Sequence, residues 1–312
     1  MSTREVIARF ESERKAWAAV LANTARLSVC LLLLAVGAYA QSALRYELRY
    51  AAAGDSAVSI QITLPEPLQA PATLVIPRSY PGGYEQVPYD SFVEGVTALA
   101  PDGGSLAVAK DADGPRWALG KKGERVQRIA YRVDIVRMEA QIRDAVSSSK
   151  VRPRYAGLLG YSVFGFVDGF ADREIELLVE GPSGWPVLTT LPAATAPDFD
   201  TLADSEILMG PGLKVSKLPG KIPLVMAIYS EGAVDAVLEG QLARSALNDV
   251  QAYFGDTPFP LYTVQLELLN CKPLPETLKT PVVSNTTCPG GQLLSAVWIA
   301  EVSSLPFGDS LI

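Results

Sequence analysis

The sequence predicts a mainly β protein, with an antiparallel β-sandwich in its first part and a strand-helix-strand α/β unit after it. Short runs that alternate apolar and polar residues, separated by glycine and proline, fill residues 41–218 without a long helix between them. Many short strands between turns are typical of a sandwich. From about Lys221 the pattern becomes strand, helix, strand, which is how an α/β unit opens.

The first two strands are predicted to form a hairpin. Apolar side chains alternate with polar ones over residues 44–50 and again over 58–64, which indicates two strands with one buried face each. Gly54 and Asp55 lie between the two runs and are typical turn residues.

Three further strands are predicted downstream of this hairpin. They are "ATLVIP" from Ala72, the alternating run over residues 129–135, and "REIELLVE", which ends where Gly181 and Pro182 follow. The stretch "MEAQIRDAVSSSK" is the exception, because its pattern fits one or two turns of helix.

The α/β unit consists of the strand "IPLVMAIYS", a helix, and the strand within "TPFPLYTVQLELL". Gly255 follows the helix where a left-handed cap residue is expected. Apolar residues at helical spacing predict the buried face of the helix. They are Val234, Leu238, Leu242, Leu247, Val250 and Phe254.

The composition indicates a globular protein with room for roughly two domains of ordinary size. Hydrophobic residues make up 48% of the 312 residues, enough to bury a sizeable core. The 34 acidic and 27 basic residues give a net charge of -7 without a basic run. Nucleic-acid binding is therefore not expected.

Residues 1–40 are predicted to be a signal peptide. Basic residues precede an apolar run from Leu27, which ends in Ala38-Tyr39-Ala40, the small-x-small pattern of a cleavage site. The mature chain would begin at Gln41 and be exported, either to the periplasm or into the medium. An uncleaved N-terminal membrane anchor is the alternative, although the run is shorter than the ~20 residues that span a bilayer.

Cleavage there would remove Cys30 and leave Cys271 and Cys288. Two cysteines in an oxidising compartment are able to form a disulfide, and the sequence leaves their pairing open. Both lie in residues 270–312, an irregular tail with little periodicity.

The chain contains no histidine, which excludes most of the usual catalytic arrangements. A Ser-His-Asp or Cys-His site, an HExxH zinc site and an imidazole general base all need one. Ser147-x-x-Lys150 has the spacing of enzymes in which a lysine activates a serine nucleophile, but their partner motifs are missing. We therefore expect Ser147 and Lys150 to lie in a solvated loop.

The acidic stretch "DFDTLADSEI" contains Asp198, Asp200, Asp204 and Glu206. Calcium loops need a regular ladder of oxygen ligands with a glycine at the sharp turn, and this stretch lacks that spacing. We expect its carboxylates to cap helices and turns rather than to hold a cation or act as an acid-base pair.

The stretch "PRSYPGGYEQVPYD", from Pro77 to Asp90, is rich in proline, glycine and tyrosine. Such a composition predicts a rigid, irregular surface segment. We expect this segment to have a structural function. If the loop also binds a partner, Tyr80, Tyr84 and Tyr89 are the candidate recognition side chains.

Several segments together resemble the glycyl aminopeptidase family of zinc metallopeptidases, the M61 peptidases. "LVIPRSYPGGYE" is similar to that family's "lP-x-W-x-PG-x-Y" signature, with Tyr80 in the tryptophan position and Pro81 and Gly82 matching. The other matching segments, which cover the chain to about Leu269, contain Trp117 in "GPRWAL", Trp185 in "VEGPSGWPVLTTL", Asp204 in "DFDTLADSEILMG", and Gly255, Pro258 and Tyr262 in "YFGDTPFPLYTVQL". Thr201 and Glu206 depart from the family pattern.

The resemblance implies an N-terminal β-sandwich followed, in residues 219–269, by the opening of a thermolysin-like domain. Zinc in the full-length family is held by an HExxH helix and a downstream glutamate, and a Gly-Gly-x-Glu-His segment precedes that helix. Gln292 and two leucines follow Gly290-Gly291 here, so no catalytic or metal-binding residue carries over to this chain, and no cofactor is expected in it.

Three functions remain from the sequence. The first is the non-catalytic N-terminal portion of an exported metallopeptidase, inactive alone, with the missing catalytic domain or a peptide as its partner. In this interpretation the tail 270–312 is the product of a frameshift or truncation, whereas a divergent ending or a genuine irregular extension is the alternative. The second is a stand-alone periplasmic binding or interaction module, and the third a histidine-free hydrolase using Ser147 and Lys150.

Overall fold

The computed structural model describes residues 43–79, 86–142, 147–257, 260–270 and 292–295. The described residues from Leu44 onward group into one compact unit. The predicted signal peptide therefore lies outside the described residues, as do all three cysteines.

The described part of the chain is mainly β. Its strands, in chain order, are β1 (Leu44–Arg49), β2 (Ala57–Gln69), β3 (Ala72–Val75), β4 (Val93–Leu99), β5 (Ser105–Leu106), β6 (Val108–Lys110), β7 (Arg116–Leu119), β8 (Arg125–Asp134), β9 (Lys150–Arg152), β10 (Tyr155–Leu159), β11 (Phe166–Val167), β12 (Ile175–Glu180), β13 (Val187–Thr189), β14 (Thr195–Ala196), β15 (Glu206–Met209), β16 (Lys214–Leu218), β17 (Leu224–Ser230), β18 (Tyr262–Asn270) and β19 (Gln292–Ser295).

A few helices accompany these strands. They are α1 (Ile135–Gln141), α2 (Gly160–Val163), α3 (Phe199–Ala203) and α4 (Ala236–Phe254), with short 3-10 turns at Tyr89–Phe92 and Pro192–Ala194. Helix α1 begins three residues before the predicted short helix and overlaps it over residues 138–141. Asp134 caps α1 by accepting a hydrogen bond from the Arg137 backbone N–H at 3.0 Å. No described helix combines the length and apolar character needed to cross a membrane.

The largest sheet has seven strands in the order β14-β12-β1-β2-β8-β4-β5. The predicted hairpin is confirmed, because β1 and β2 pair antiparallel with Leu48 opposite Ile60. The expectation of entirely antiparallel pairing is wrong at one place, since β1 and β12 run parallel with Leu44 opposite Ile175. More than a hundred residues separate these two strands, so no tight turn fixes their relative direction.

Two four-stranded sheets, β11-β3-β7-β6 and β13-β15-β10-β9, share one hydrophobic core with the large sheet. Leu48, Leu74 and Leu158 represent the three sheets in this core and are fully buried.

Buried tyrosines tie the large sheet to the segment that follows α2. The Tyr46 hydroxyl donates to the Gly165 carbonyl at 2.9 Å, and the Tyr131 hydroxyl donates to Val163 at 3.1 Å while accepting from the Gly165 N–H at 2.9 Å. Burial raises the pKa of Tyr46 well above its ordinary value, so its phenol stays a donor. These bonds satisfy backbone groups that the core would otherwise leave unpaired.

The fourth sheet has the order β16-β17-β18-β19 and confirms the predicted strand-helix-strand pattern. Strands β17 and β18 are parallel, with Leu224 opposite Tyr262, and α4 connects them. Asp235 caps the start of α4 by accepting from the Val237 and Leu238 N–H groups. Gly255 ends the helix in the left-handed conformation with φ 75°, as expected.

The buried face of α4 differs from the predicted one. Its buried residues are Gly240, Ala243 and Leu247, a stripe in which two members are small. Small residues let the helix approach the sheet closely, and a Cβ on Gly240 would meet the Leu218 methyls at 3.4 Å. Large apolar side chains of α4 are consequently about half exposed or more, namely Val237, Leu238, Leu242, Val250, Tyr253 and Phe254.

Two glycine substitutions test how closely two helices approach their neighbours, Gly160 in α2 and Gly240 in α4. A Cβ on Gly160 would clash with the backbone carbonyl oxygens of Leu202, Ala203 and Ser205, whereas one on Gly240 makes ordinary contacts within a helix. We expect Gly160→Ala to lower the free energy of unfolding by about 1–3 kcal/mol or more. Gly240→Ala is expected to raise it by up to ~1 kcal/mol. Urea titration measures both, and equal effects would contradict the close approach of α2 to α3.

Candidate functional site

The structure describes only part of the predicted recognition loop. Tyr80, Pro81, Gly82 and Tyr84 lie outside the described residues, as does Pro258. The Tyr89 side chain is fully buried, and its hydroxyl donates to the Ser147 carbonyl at 2.8 Å. Tyr89 therefore anchors the end of the loop from within the core and does not present its ring at the surface.

Asp90 is the centre of a charge cluster beside that loop. Its carboxylate is 2% exposed and accepts from Arg78 Nε at 2.6 Å and from Arg78 Nη2 at 3.0 Å. Lys110 Nζ lies 2.9 Å from the same carboxylate and 4.7 Å from the centroid of the Trp117 ring. Since Arg78 and Asp90 flank residues 80–85, this pair holds the two ends of the loop together.

The electrostatics of Asp90 result from two opposing effects. Burial by itself raises the pKa of the carboxyl, but the hydrogen bonds and positive charges of Arg78 and Lys110 outweigh burial and lower the pKa below 3.8. The sequence analysis did not predict this cluster. An arginine and an aspartate on either side of a Pro-Gly loop are the signal that would have indicated an ion pair there.

The other motif residues occupy structural positions. Trp117 is buried in β7, and the Trp185 ring packs on Tyr50 with centroids 5.9 Å apart. Asp204 follows α3, Gly255 caps α4, and Tyr262 begins β18. Asp198 caps α3 by accepting from the Thr201 N–H at 2.8 Å, as expected of a capping carboxylate. Within the described ranges, no group of three or more His, Cys, Asp or Glu side chains is placed to hold a metal ion.

The expectation of a solvated loop at Ser147 and Lys150 is wrong. The four residues from Ser147 to Lys150, where the chain enters β9, are all buried. Lys150 Nζ lies 3.0 Å from Glu267 Oε2 and donates to the Ser148 carbonyl at 2.9 Å. A lysine that activates serine must accept a proton, and an ammonium paired with a carboxylate does not offer that lone pair.

Lys150, Tyr155, Glu206, Gln265 and Glu267, together with Ser148, form what we call the junction cluster. Tyr155 donates a short hydrogen bond to Glu267 Oε1, and its ring stacks on Tyr229 with centroids 4.0 Å apart. Burial, followed by the charge of Glu267, raises the pKa of the Tyr155 phenol. The cluster joins strands of the small sheet β13-β15-β10-β9 to β18 of the α/β unit.

A second ionic contact joins the same two parts of the chain. Arg152 Nη2 lies 2.7 Å from Glu139 Oε1, and Arg152 Nε lies 2.6 Å from Glu231 Oε1. Glu139 belongs to α1 and Glu231 directly follows β17. The hydrogen bonds that Arg152 donates to Glu139 and to Glu231 raise the pKa of its guanidinium despite partial burial.

An open groove of about 460 Å³ lies on the outer face of the seven-stranded sheet. Charged and polar side chains of β1, β2, β8 and β12 line it, among them Glu47, Arg49, Gln61, Arg132 and Glu180. Its charges are mixed in sign, and Arg49 and Glu180 lie 3.7 Å apart within it. The groove therefore presents hydrogen-bonding groups without a nucleophile paired to a base.

The buried ion pair predicts a large effect of Lys150→Met. The variant keeps the apolar stem but leaves Glu267 without its buried counter-charge. We expect the free energy of unfolding to fall by about 3–5 kcal/mol, measured by urea denaturation. The control is Arg45→Met, which breaks the pair with Glu176 at a site where both side chains are about half exposed, and is expected to cost less than about 1 kcal/mol. A small effect of Lys150→Met would contradict a structural function of the pair.

Asp90 predicts a pH-dependent contribution to stability. Its folded-state pKa is lowered, so the contribution is present above the ordinary pKa of 3.8 and is lost as pH falls through the folded value. Asp90→Asn should be clearly less stable than the wild-type chain at pH 7, and the difference should shrink below about pH 4. Thermal unfolding across this pH range measures it. Asp168→Asn, in the exposed pair with Arg116, is the control and is expected to change little at either pH.

The comparisons with known proteins agree with the resemblance in the sequence. The family model described as Peptidase M61 N-terminal domain matches residues 45–211. No curated protein matches the chain. A crystal structure of an aminopeptidase N family protein from Idiomarina loihiensis has a similar fold, with a TM-score of 0.62 at 20% sequence identity.

The alignment with that structure covers 70% of this chain and 38% of the other. At this identity the likeness concerns the fold alone, and this chain spans well under half of the length of its structural relative. The predicted resemblance to the M61 peptidases is confirmed by the family model, which matches more than half of the 312 residues. The chain therefore belongs to the family of the Peptidase M61 N-terminal domain.

Proposed function

We propose that this chain is the non-catalytic N-terminal portion of a glycyl-aminopeptidase-like zinc metallopeptidase and is inactive alone. The observation that carries the proposal is an M61 N-terminal domain in a chain without a single histidine. An HExxH zinc site requires two histidines on one helix, and zinc there activates the attacking water. The residues present do not fit that site, so no step of peptide hydrolysis is assigned to them.

The architecture supports a scaffold function. The large sheet and the two four-stranded sheets enclose one core, which fits the β-sandwich of the family's N-terminal domain. Helix α4 between the parallel strands β17 and β18 fits the opening of a thermolysin-like domain. The junction cluster and Arg152 would hold this opening in a fixed position against the sandwich.

The exposed face of α4 supports a partner for this scaffold. Large apolar side chains along the helix, from Val237 to Phe254, are open to solvent, and such a patch usually marks a contact surface. The structural relative is also much longer than the aligned region. We infer that catalytic-domain polypeptide of the parent enzyme, in the same or a separate chain, covers α4.

Export is part of the same proposal. The basic-then-apolar order of residues 1–40 and the Ala38-Tyr39-Ala40 pattern favour a cleaved signal peptide, which would place the mature chain in the periplasm or the medium.

A stand-alone binding or interaction module is the second candidate function. The groove on the large sheet favours it, because a concave surface of about 460 Å³ with mixed charges suits a small polar ligand or a peptide end. Such a module would fold as a soluble monomer without a catalytic partner, whereas the apolar face of α4 favours the first candidate.

The proposed inactivity predicts that the purified chain does not hydrolyse N-terminal glycyl or alanyl substrates in the presence of zinc, and that it binds no zinc stoichiometrically. Substrate turnover and metal content after dialysis measure these two outcomes. Turnover that a chelator abolishes would contradict the proposal. Turnover that resists a chelator but disappears in Ser147→Ala would instead indicate the serine-lysine hydrolase.

A further inference from the structure

The junction cluster encloses a small polar cavity with about 10 Å³ of space for the centre of a water molecule. Ser148, Lys150, Glu206, Gln265 and Glu267 contribute its polar lining. An internal site for a single water needs roughly 10–15 Å³ measured in this way, together with two to four polar partners. The size of the cavity therefore fits one water and excludes a larger ligand.

Gln265 is the side chain that most requires an occupant there. It is 2% exposed, and neither its Oε1 nor its Nε2 has a hydrogen-bond partner among the residues that the structure describes. The Ser148 Oγ is buried and likewise lacks a partner in the described part of the chain. Buried amide and hydroxyl groups in folded proteins are bonded to protein or to ordered water, because leaving them unpaired is costly.

The charges around the cavity distinguish between small occupants. The Glu206 and Glu267 carboxylates oppose an anion, and the charge of the Lys150 ammonium is already matched by Glu267. Gln265 and Ser148 each provide both a donor and an acceptor. Water matches this lining because it is neutral and both donates and accepts.

We propose that the junction contains a structural water molecule, which bridges Gln265 of β18 to Ser148, two residues before β9. It lies beside the Lys150–Glu267 ion pair, so the contact between the N-terminal domain and the α/β unit is ionic and water-mediated at once. This site explains why a buried strand carries a glutamine two residues before the paired glutamate.

The direct test is a crystal structure of the chain at a resolution that shows ordered water. The expected result is a peak within about 2.7–3.2 Å of both the Gln265 amide group and Ser148 Oγ. An empty cavity, or a peak at the shorter contact distances of a metal ion, overturns the proposal.

Solution measurements provide a second test with matched variants. Gln265→Met keeps the side-chain length and removes both polar atoms, whereas Gln61→Met makes the same change in the open groove. Water-proton relaxation dispersion should detect one fewer long-lived internal water in Gln265→Met and no change in Gln61→Met. If Gln265→Met does not fold, Ser148→Ala replaces it with the same expected loss. An unchanged number of long-lived waters in the folded variant overturns the proposal.

Discussion

The pairing of Lys150 with Glu267 is the constraint on which the arrangement of this chain depends. Two opposite charges that are both withdrawn from water must meet, because either one alone would be strongly destabilising. Their contact fixes the face that β18 turns toward the N-terminal domain. Gln265 and Glu267 therefore point toward the small sheet β13-β15-β10-β9, while the alternate residues Val264, Leu266 and Leu268 pack with α4.

The same logic of buried charge organises the loop that carries the family signature. Asp90 pairs with both Arg78 and Lys110, and the hydroxyl of the adjoining Tyr89 donates to the Ser147 carbonyl. Ser147 lies three residues before Lys150 in the same buried segment. The start of the β9 segment thus connects Tyr89, beside the signature loop, to the junction with the α/β unit through a few buried polar contacts.

Helix α4 has one side packed on its sheet and another side open to solvent. Its small residues face β16 and β17 and allow close packing, so its larger apolar side chains remain outside. A monomer rarely keeps so many large apolar side chains exposed along one helix without a contact to make. The sheet-facing side of α4 is therefore packed by residues of this chain. Its opposite side exposes an apolar surface that further polypeptide would be able to cover.

The sequence alone determined the family, the positions of seven of the nineteen described strands and of the long helix α4, and the absence of imidazole chemistry, because these depend on local periodicity, turn residues and composition. It predicted the hairpin at residues 44–64 and the cap at Gly255, where neighbours in the chain decide the conformation. Only the tertiary structure decided that Lys150 is buried, that β1 pairs parallel with β12, and that α4 turns its small residues inward. Each of these depends on a partner far away in the chain, and periodicity within a segment carries no information about that partner.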